Sequence, residues 1–290
     1  MDRVKEIGFV QNLERLLLRC IPLGVAALLT FTVPGHAVDG VTEIDQAIAL
    51  SGGVTPGDTA GFPVTIDQAG SYRLTGNLSV PNENTTAVVI TVEGVTLDLN
   101  GFSIIGSSNQ SGPNGTGIGV QASAGGVSVV NGMVRGMGST GIVLDARSRA
   151  ENLQLFYNAT GLSAGFDSLI VDVNASRNRQ DGMFVAGDST ITRSVANENT
   201  QDGIRAVSRT NITYNTANDN DRFGIHTSND CLVLNNSVSR NISHGLSLST
   251  GTGYAQNIVN ENNGGNSNLQ VANGGIQMGT NICGGNTSCP

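Results

Sequence analysis

The 290-residue chain has no Trp and a single Lys, Lys5. Aromatic residues make up 4% of it, charged residues 13%, and there are only three His. Each scarcity excludes something. Residues 38–290 carry 11 Arg and no Lys, and the whole chain has a formal charge of −8. That balance offers no electrostatic footprint for nucleic acid or an anionic membrane. The lack of Trp argues against a β-propeller, whose blades of about 40 residues usually bear aromatic signatures. Cys20, Cys231, Cys283 and Cys289 have no His at metal-ligand spacing, so no zinc pattern exists and no metal is assigned. Long apolar runs are missing too. The longest, residues 21–33, is 13 residues, whereas a spanning helix needs about 20.

That short run has a different meaning. Arg3, Lys5, Arg15 and Arg19 precede it, and Gly35-His36-Ala37 follows as a small-x-small cleavage site. Residues 1–37 therefore read as a secretory signal peptide; cleavage after Ala37 is expected, which would leave the mature chain outside the cytoplasm without a membrane span, and retention as an anchor is the alternative. In an oxidising compartment Cys283 and Cys289, six residues apart in a Gly/Asn loop, can form a short disulfide clip. Cys231 reads as a buried free thiol.

What the chain has in abundance is Gly, 39 residues of it, and a period. Gly182-Met183, Gly203-Ile204, Gly224-Ile225 and Gly245-Leu246 recur every 21 residues. Asn178, Asn199, Asn220, Asn241 and Asn262 keep the same step, as do Ile170, Ile191, Ile212 and Val233. A fixed period of this length marks stacked units that bury a continuous core only by contact with their neighbours. Gly and Asn interrupt every unit, so no helix of useful length fits, and apolar residues two apart suit short strands. The expected fold is all-β: a single-stranded parallel β-helix of about ten coils over residues 66–282, each coil contributing three short strands. Residues 38–65 are expected to form an N-terminal cap with a short helix from Thr42 to Leu50. Residues 283–290 form a tail, and the Gly- and Asn-rich stretch 107–116 reads as a loop inserted between coils.

Two coils carry a resemblance. Ile212-Thr-Tyr-Asn-Thr-Ala-Asn-Asp-Asn220 and Val233-Leu-Asn-Asn-Ser-Val-Ser-Arg-Asn241 resemble the generic repeat of right-handed parallel β-helix proteins. That pectate-lyase-like superfamily includes pectate lyases, polygalacturonases and polysaccharide epimerases, and the resemblance covers residues 88–262. It implies right-handed coiling and an inward ladder of stacked amides, here Asn215, Asn236 and Asn257, preceded by Ser194 and Val173. Stacked side-chain amides can bond donor to acceptor along the axis, satisfying polar groups that would otherwise cost about 1–3 kcal/mol each.

Stacking also turns scattered polar residues into columns. The position before the anchor Gly reads Asp181, Asp202, Phe223, His244, and the position after its apolar partner reads Phe184, Arg205, His226, Ser247. Arg222 lies one residue upstream of Phe223. Two carboxylates one coil apart would raise one another's pKa and suit general acid/base work. Asp181, Asp202 and His244 resemble polygalacturonase catalytic positions in placement, but Gln201 replaces one Asp of that family's pair and no Lys clamp exists. The candidate catalytic residues are thus Asp181, Asp202 and His244. Phe184, Arg205, Arg222, Phe223 and His226 are the candidate ligand contacts. A Ca²⁺ held by Asp181, Asp202 and Asn oxygens is chemically open, although the glycine-rich nonapeptide repeat is absent; no other cofactor is implied. Asp-Gly is also ordinary turn chemistry, repeated because the coil repeats. The leading expectation is a secreted, non-enzymatic β-helix that binds polysaccharide or envelope glycan, or serves as a surface scaffold. The alternative is a polysaccharide-active enzyme: a glycoside hydrolase, lyase or epimerase.

Overall fold

A computed structural model describes residues 40–108, 115–285 and 289; the expected signal segment and the centre of the 107–116 insertion lie outside those residues. Every strand pair among the described residues is parallel, and the strands fall into three sheets. A ten-stranded sheet, here face A, takes one short strand from each coil, from Val64–Ile66 to Val271–Asn273. A thirteen-stranded sheet, face B, includes Thr190–Thr192, Asn211–Thr213 and Leu232–Leu234. A four-stranded sheet, face C, runs from Thr216–Asn218 to Ile282–Cys283. In earlier coils faces B and C are joined, because Ser128–Arg135, Arg149–Phe156 and Leu169–Ser176 are eight-residue strands that bend across both. The result is a parallel β-solenoid of about ten turns.

The 21-residue step is the strand register itself. Ile170 pairs with Ile191, Ile191 with Ile212, and Ile212 with Val233. Within each strand side chains alternate inward and outward, so the inward positions stack into apolar columns. Ile191, Ile212 and Val233 from face B meet Ala196, Ala217 and Val238 from face C and Met183, Ile204 and Ile225 from face A, all buried.

From Gly126 onward the coils turn at three corners, and each corner uses a residue with positive φ. One corner has Asp188, Arg209 and Asp230 at φ 61°, 59° and 60°; the next has Arg193, Tyr214 and Asn235 at 51°, 59° and 58°. The third has Arg177, Glu198, Asp219 and Arg240 at φ 58°, 55°, 57° and 54°. The left-handed region is disfavoured for L-residues by about 1–2 kcal/mol, so something must hold these residues there. The residue that follows supplies it. Its side chain points inward, and its backbone N–H is met by the equivalent side chain one coil downstream.

At the third corner Asn178, Asn199, Asn220 and Asn241 each donate backbone N–H to the Oδ1 of the next Asn at 2.9–3.0 Å. The Nδ2 groups of Asn199 and Asn220 donate back to Ala175 O and Ala196 O at 3.1 and 2.9 Å, and forward to the next Oδ1 at 3.0 and 2.8 Å. Gln270 closes this ladder by accepting from Asn262 N–H at 2.9 Å. Asn215, Asn236 and Asn257 build a second ladder at the corner between faces B and C, starting at Ser194 and ending on Asn281. The remaining corner uses hydroxyls: Ser168 N–H donates to Ser189 Oγ at 3.0 Å. There Cys231 occupies a hydroxyl position, its buried thiol donating to Val207 O at 3.1 Å. Burial pushes that thiol's pKa up.

The anchor glycines follow from the ladder. A Cβ on Gly203 would sit 2.7 Å from Asn220 Nδ2 and 2.7 Å from Gly224 O, so the amide column and the Gly column require one another.

The N-terminal helix differs from expectation. It spans only Gln46–Ser51, and its N-cap is Asp45, whose carboxylate accepts from Ile48 N–H at 2.8 Å. Thr42 lies instead in the strand Val41–Ile44, which pairs with Gly70–Leu74. The β-branched Val41, Thr42 and Ile44 suit a strand better than a first helical turn. At the other end Cys283 and Cys289 are disulfide-bonded, with Cα atoms 5.2 Å apart. No helix among the described residues is long and apolar enough to cross a membrane.

The ladder makes a direct prediction. Asn220→Ala removes the acceptor for Asn199 N–H and Nδ2 and the donor to Ala196 O. Leaving such buried groups unpaired is expected to lower unfolding stability by about 3–5 kcal/mol, at about 1–3 kcal/mol per group. Urea unfolding followed by circular dichroism measures it; a change below about 1 kcal/mol, the net worth of one ordinary hydrogen bond, would show the ladder to be incidental.

Candidate ligand-binding face

The candidate residues gather on and beside face A. Its strands Met183–Val185, Ile204–Ala206 and Ile225–Thr227 present their central side chains outward. Phe184 pairs with Arg205, Arg205 with His226, and His226 with Ser247, so these side chains follow one another at about 4.8 Å, the strand spacing. Asp181, Asp202, Phe223 and His244 sit where each coil enters face A.

The two carboxylates repeat one geometry. Asp181 Oδ1 accepts from Asp202 N–H at 3.0 Å, and its Oδ2 lies 4.0 Å from Arg205 Nη1. Asp202 Oδ1 accepts from Phe223 N–H at 3.3 Å, while its Oδ2 is 2.9 Å from His226 Nδ1 and 3.7 Å from Arg222 Nη1. In both, one oxygen satisfies a turn amide of the next coil and the other faces a cationic or imidazole group of the next coil. Asp202 is fully buried and Asp181 nearly so. Burial pushes the Asp181 carboxyl above the usual range and the neighbouring Asp202 charge adds to this; the Asp202 N–H, Arg205 and Arg222 pull it down by less.

The exposed side of the site is cationic and aromatic. Arg205 lies over the Phe184 ring, 5.5 Å from its centroid, and Arg222 over the Phe223 ring at 5.0 Å. Each guanidinium side chain is 47% exposed. Phe223 meets His226 edge-on at 5.2 Å and stacks with His244 at 6.1 Å. His244 itself turns to Ser243 Oγ at 3.3 Å and Asn263 Nδ2 at 3.5 Å, away from either carboxylate. One cluster therefore holds Asp202, Arg222, Phe223, His226 and His244, and a second, one coil earlier, holds Asp181, Arg205 and Phe184. Phe223, which interrupts the polar column in the sequence, is the ring that joins the two histidines.

This arrangement alters the chemistry available. A glycosidase needs two carboxyl groups flanking the scissile bond, and Asp202 presents no surface to a substrate. The carboxylates are instead buried, with Arg205 and Arg222 facing them at 4.0 and 3.7 Å and His226 in hydrogen-bonding contact with Asp202. With Asp202 ionised, His226 Nδ1 is the donor by network logic and Nε2 the acceptor. Among the described residues no group of three or more His, Cys, Asp and Glu is placed to hold a metal ion. Around the corner toward face C is a depression that the sequence reading did not single out, lined by Tyr157, Arg177, Asn178, Arg179, Glu198 and Thr200. Tyr157, Arg177 and Glu198 share a column at steps of 20 and 21 residues, but their dissimilar side chains hide it.

Because its pKa is raised on folding, Asp181 favours the native state most below the unfolded Asp value of about 3.9. That advantage is lost as pH rises through the folded value. Asp181→Asn keeps an acceptor for Asp202 N–H and removes the charge. It should raise Tm at pH 7 by a few degrees, since about 1 kcal/mol shifts Tm by about 2–4 °C in chains of 150–250 residues. The gain should shrink as pH falls toward 4. Calorimetric melts at both pH values check this; a variant less stable at pH 7 would show the carboxylate charge to be a net stabiliser.

No protein-family description and no curated protein sequence matches this chain. Solved structures do. The Dettilon tailspike protein superposes with a TM-score of 0.64 at 12% identity, over 75% of this chain and 53% of the tailspike. This chain thus spans about half of the tailspike's length. The periplasmic alginate epimerase AlgG superposes at 0.53 with 14% identity, over 83% of this chain and 72% of the epimerase. Pectate lyase Pel9A is a more distant likeness at 0.45 and 13% identity, over 81% of this chain and 78% of the lyase. At such identities the likeness is one of fold: these proteins and this chain share a mostly β, parallel β-solenoid of about ten turns.

Proposed function

We propose that this chain is a non-enzymatic, extracytoplasmic glycan-binding β-helix, and that face A binds an acidic polysaccharide. One observation carries the reading. Arg205 and Arg222 are half exposed and lie over phenyl rings, and among the described residues neither guanidinium makes a hydrogen bond; their buried carboxylates stand 4.0 and 3.7 Å away. Each therefore keeps its planar donor fork for a carboxylate from outside, which is the group that fork matches best. Phe184 and Phe223 add apolar ring surface for the C–H face of a sugar. The chain's negative charge acts over a distance that salt screens, about 8 Å at physiological ionic strength, so the local pair of Arg decides at contact. The polysaccharide-related structures that share the fold, one of them described as periplasmic, are consistent with this.

The test is calorimetric titration of residues 38–290 with oligouronates and with neutral oligosaccharides of equal length. The acidic ligands should bind and the neutral ones bind far more weakly. Arg205→Ala with Arg222→Ala should weaken acidic binding by at least about tenfold, the scale expected on losing charge-assisted bonds. Equal binding of both ligand types, or none of either, overturns the proposal.

One observation favours an enzymatic reading as well, the 2.9 Å contact between His226 Nδ1 and the buried Asp202. A carboxylate that orients an imidazole leaves Nε2 as proton acceptor, and an Arg beside it suits removal of a proton next to a uronate carboxylate. On that reading the chain would be a lyase or epimerase, with His226 as base and Asp202 positioning it. Wild type would then release unsaturated or epimerised product, and His226→Ala would lose turnover while keeping binding. Absence of both products and of new reducing ends across acidic and neutral polysaccharides, with and without Ca²⁺, would exclude it.

A further inference from the structure

The corner between faces C and A carries a second constellation, built from residues that face A does not use. Arg177, at a left-handed position, donates from Nε and Nη2 to the two Glu198 carboxylate oxygens at 2.9 and 3.2 Å, and from Nη1 to Tyr157 Oη at 3.3 Å. Three side chains from three successive coils are thereby locked into one unit, and a depression lies on each side of it. Toward face C the lining adds Phe156, Asn174, Ser176 and Asn197; toward face A it adds Arg179 and Thr200. The two depressions share Tyr157, Arg177 and Glu198 and so form one trough around the corner.

Arg179 is the unexplained member. Its Nη1 donates to Ser108 Oγ and its Nη2 to Gly138 O, both at 2.8 Å, and Nη2 also reaches Met137 O at 3.5 Å; all three acceptors are neutral. Its Nε is buried without a hydrogen-bond partner, and among the described residues no carboxylate lies within 4.0 Å of it. Burial pulls its pKa down. Glu198 neutralises Arg177, so the trough retains one uncompensated positive charge beside a tyrosine ring, amides and hydroxyls. Two rings, Phe156 and Tyr157, lie 6.4 Å apart in it.

We infer that this trough is a carbohydrate subsite separate from face A, which accepts a sugar unit bearing one anionic group. The anion pairs with Arg179, the sugar ring packs on Tyr157 and Phe156, and Asn174, Ser176 and Asn197 meet its hydroxyls. A carboxylate and a sulfate ester offer the same charge to Arg179, and the choice of ligand separates them. The inference stands apart from the function proposed for face A, because no residue is shared between the two surfaces.

The experiment starts from the Arg205→Ala/Arg222→Ala chain, in which face A is disabled. It is titrated with an oligouronate, a sulfated neutral oligosaccharide and the unsulfated parent. Residual binding of one or both anionic ligands is expected, and not of the parent. Arg179→Gln added to that chain should reduce it by about tenfold. Tyr157→Asn should reduce it severalfold while keeping the fold, since Asn tolerates the left-handed conformation better than Tyr. Should circular dichroism show Arg179→Gln unfolded, Tyr157→Asn decides alone. Absence of residual binding, or residual binding that Tyr157→Asn and a folded Arg179→Gln leave unchanged, overturns the subsite. Unimpaired binding in the Arg205→Ala/Arg222→Ala chain would overturn the face A proposal instead.

Discussion

The structure depends on one kind of hydrogen bond: a backbone N–H just past a left-handed corner, donated to a side-chain oxygen one coil downstream. A parallel coil must turn three times, and at each turn the sheet ladders lapse. The inward Asn, Ser and Thr side chains fill those gaps from within the core. Asn serves best because its Oδ1 can accept two bonds while its Nδ2 reaches both neighbouring coils, so no part of the buried amide is wasted. The left-handed backbone, the missing Cβ at the anchor glycines and the 21-residue period all adapt to this bond.

The same corner logic shapes the surface. A residue at positive φ projects outward, so stacked corner positions form external columns that pair across coils: Arg193 with Asp172 at 2.9 Å and Arg240 with Asp219 at 2.7 Å. Such exposed pairs contribute little stability each, but they set the charge pattern that a ligand meets. Where an Arg lacks a carboxylate partner in hydrogen-bonding reach, as with Arg205, Arg222 and Arg179, that pattern is open.

Much of this was legible in the sequence, for a physical reason. Ile191, Ile212 and Val233 announce their register because a core column tolerates only apolar side chains, and Asn215, Asn236 and Asn257 because an amide ladder rewards identity along the stack. The Asn178 to Asn262 column was equally visible as spacing, yet its inward direction depends on the left-handed residue before it, which no side-chain type marks: Arg, Glu and Asp all occur there. Asp181 and Asp202 were legible as a pair and as turn chemistry, while their burial was not. Their position at the mouth of the turn lets one oxygen cap an amide of the next coil, and that draws the carboxylate inward. Tyr157, Arg177 and Glu198 were opaque, because a functional unit of three unlike side chains leaves no periodic trace.

The ladders also have a direction. Each inward Asn accepts from the coil before it and donates its own N–H to the coil after it, so a coil's corner amides are completed only when the following coil is laid down. Gln270 and Asn281 end that succession, since their own side-chain amides turn back on local carbonyls instead of calling for another coil. The two ends of the stack are therefore chemically unlike, one offering acceptors and the other closed by local bonds.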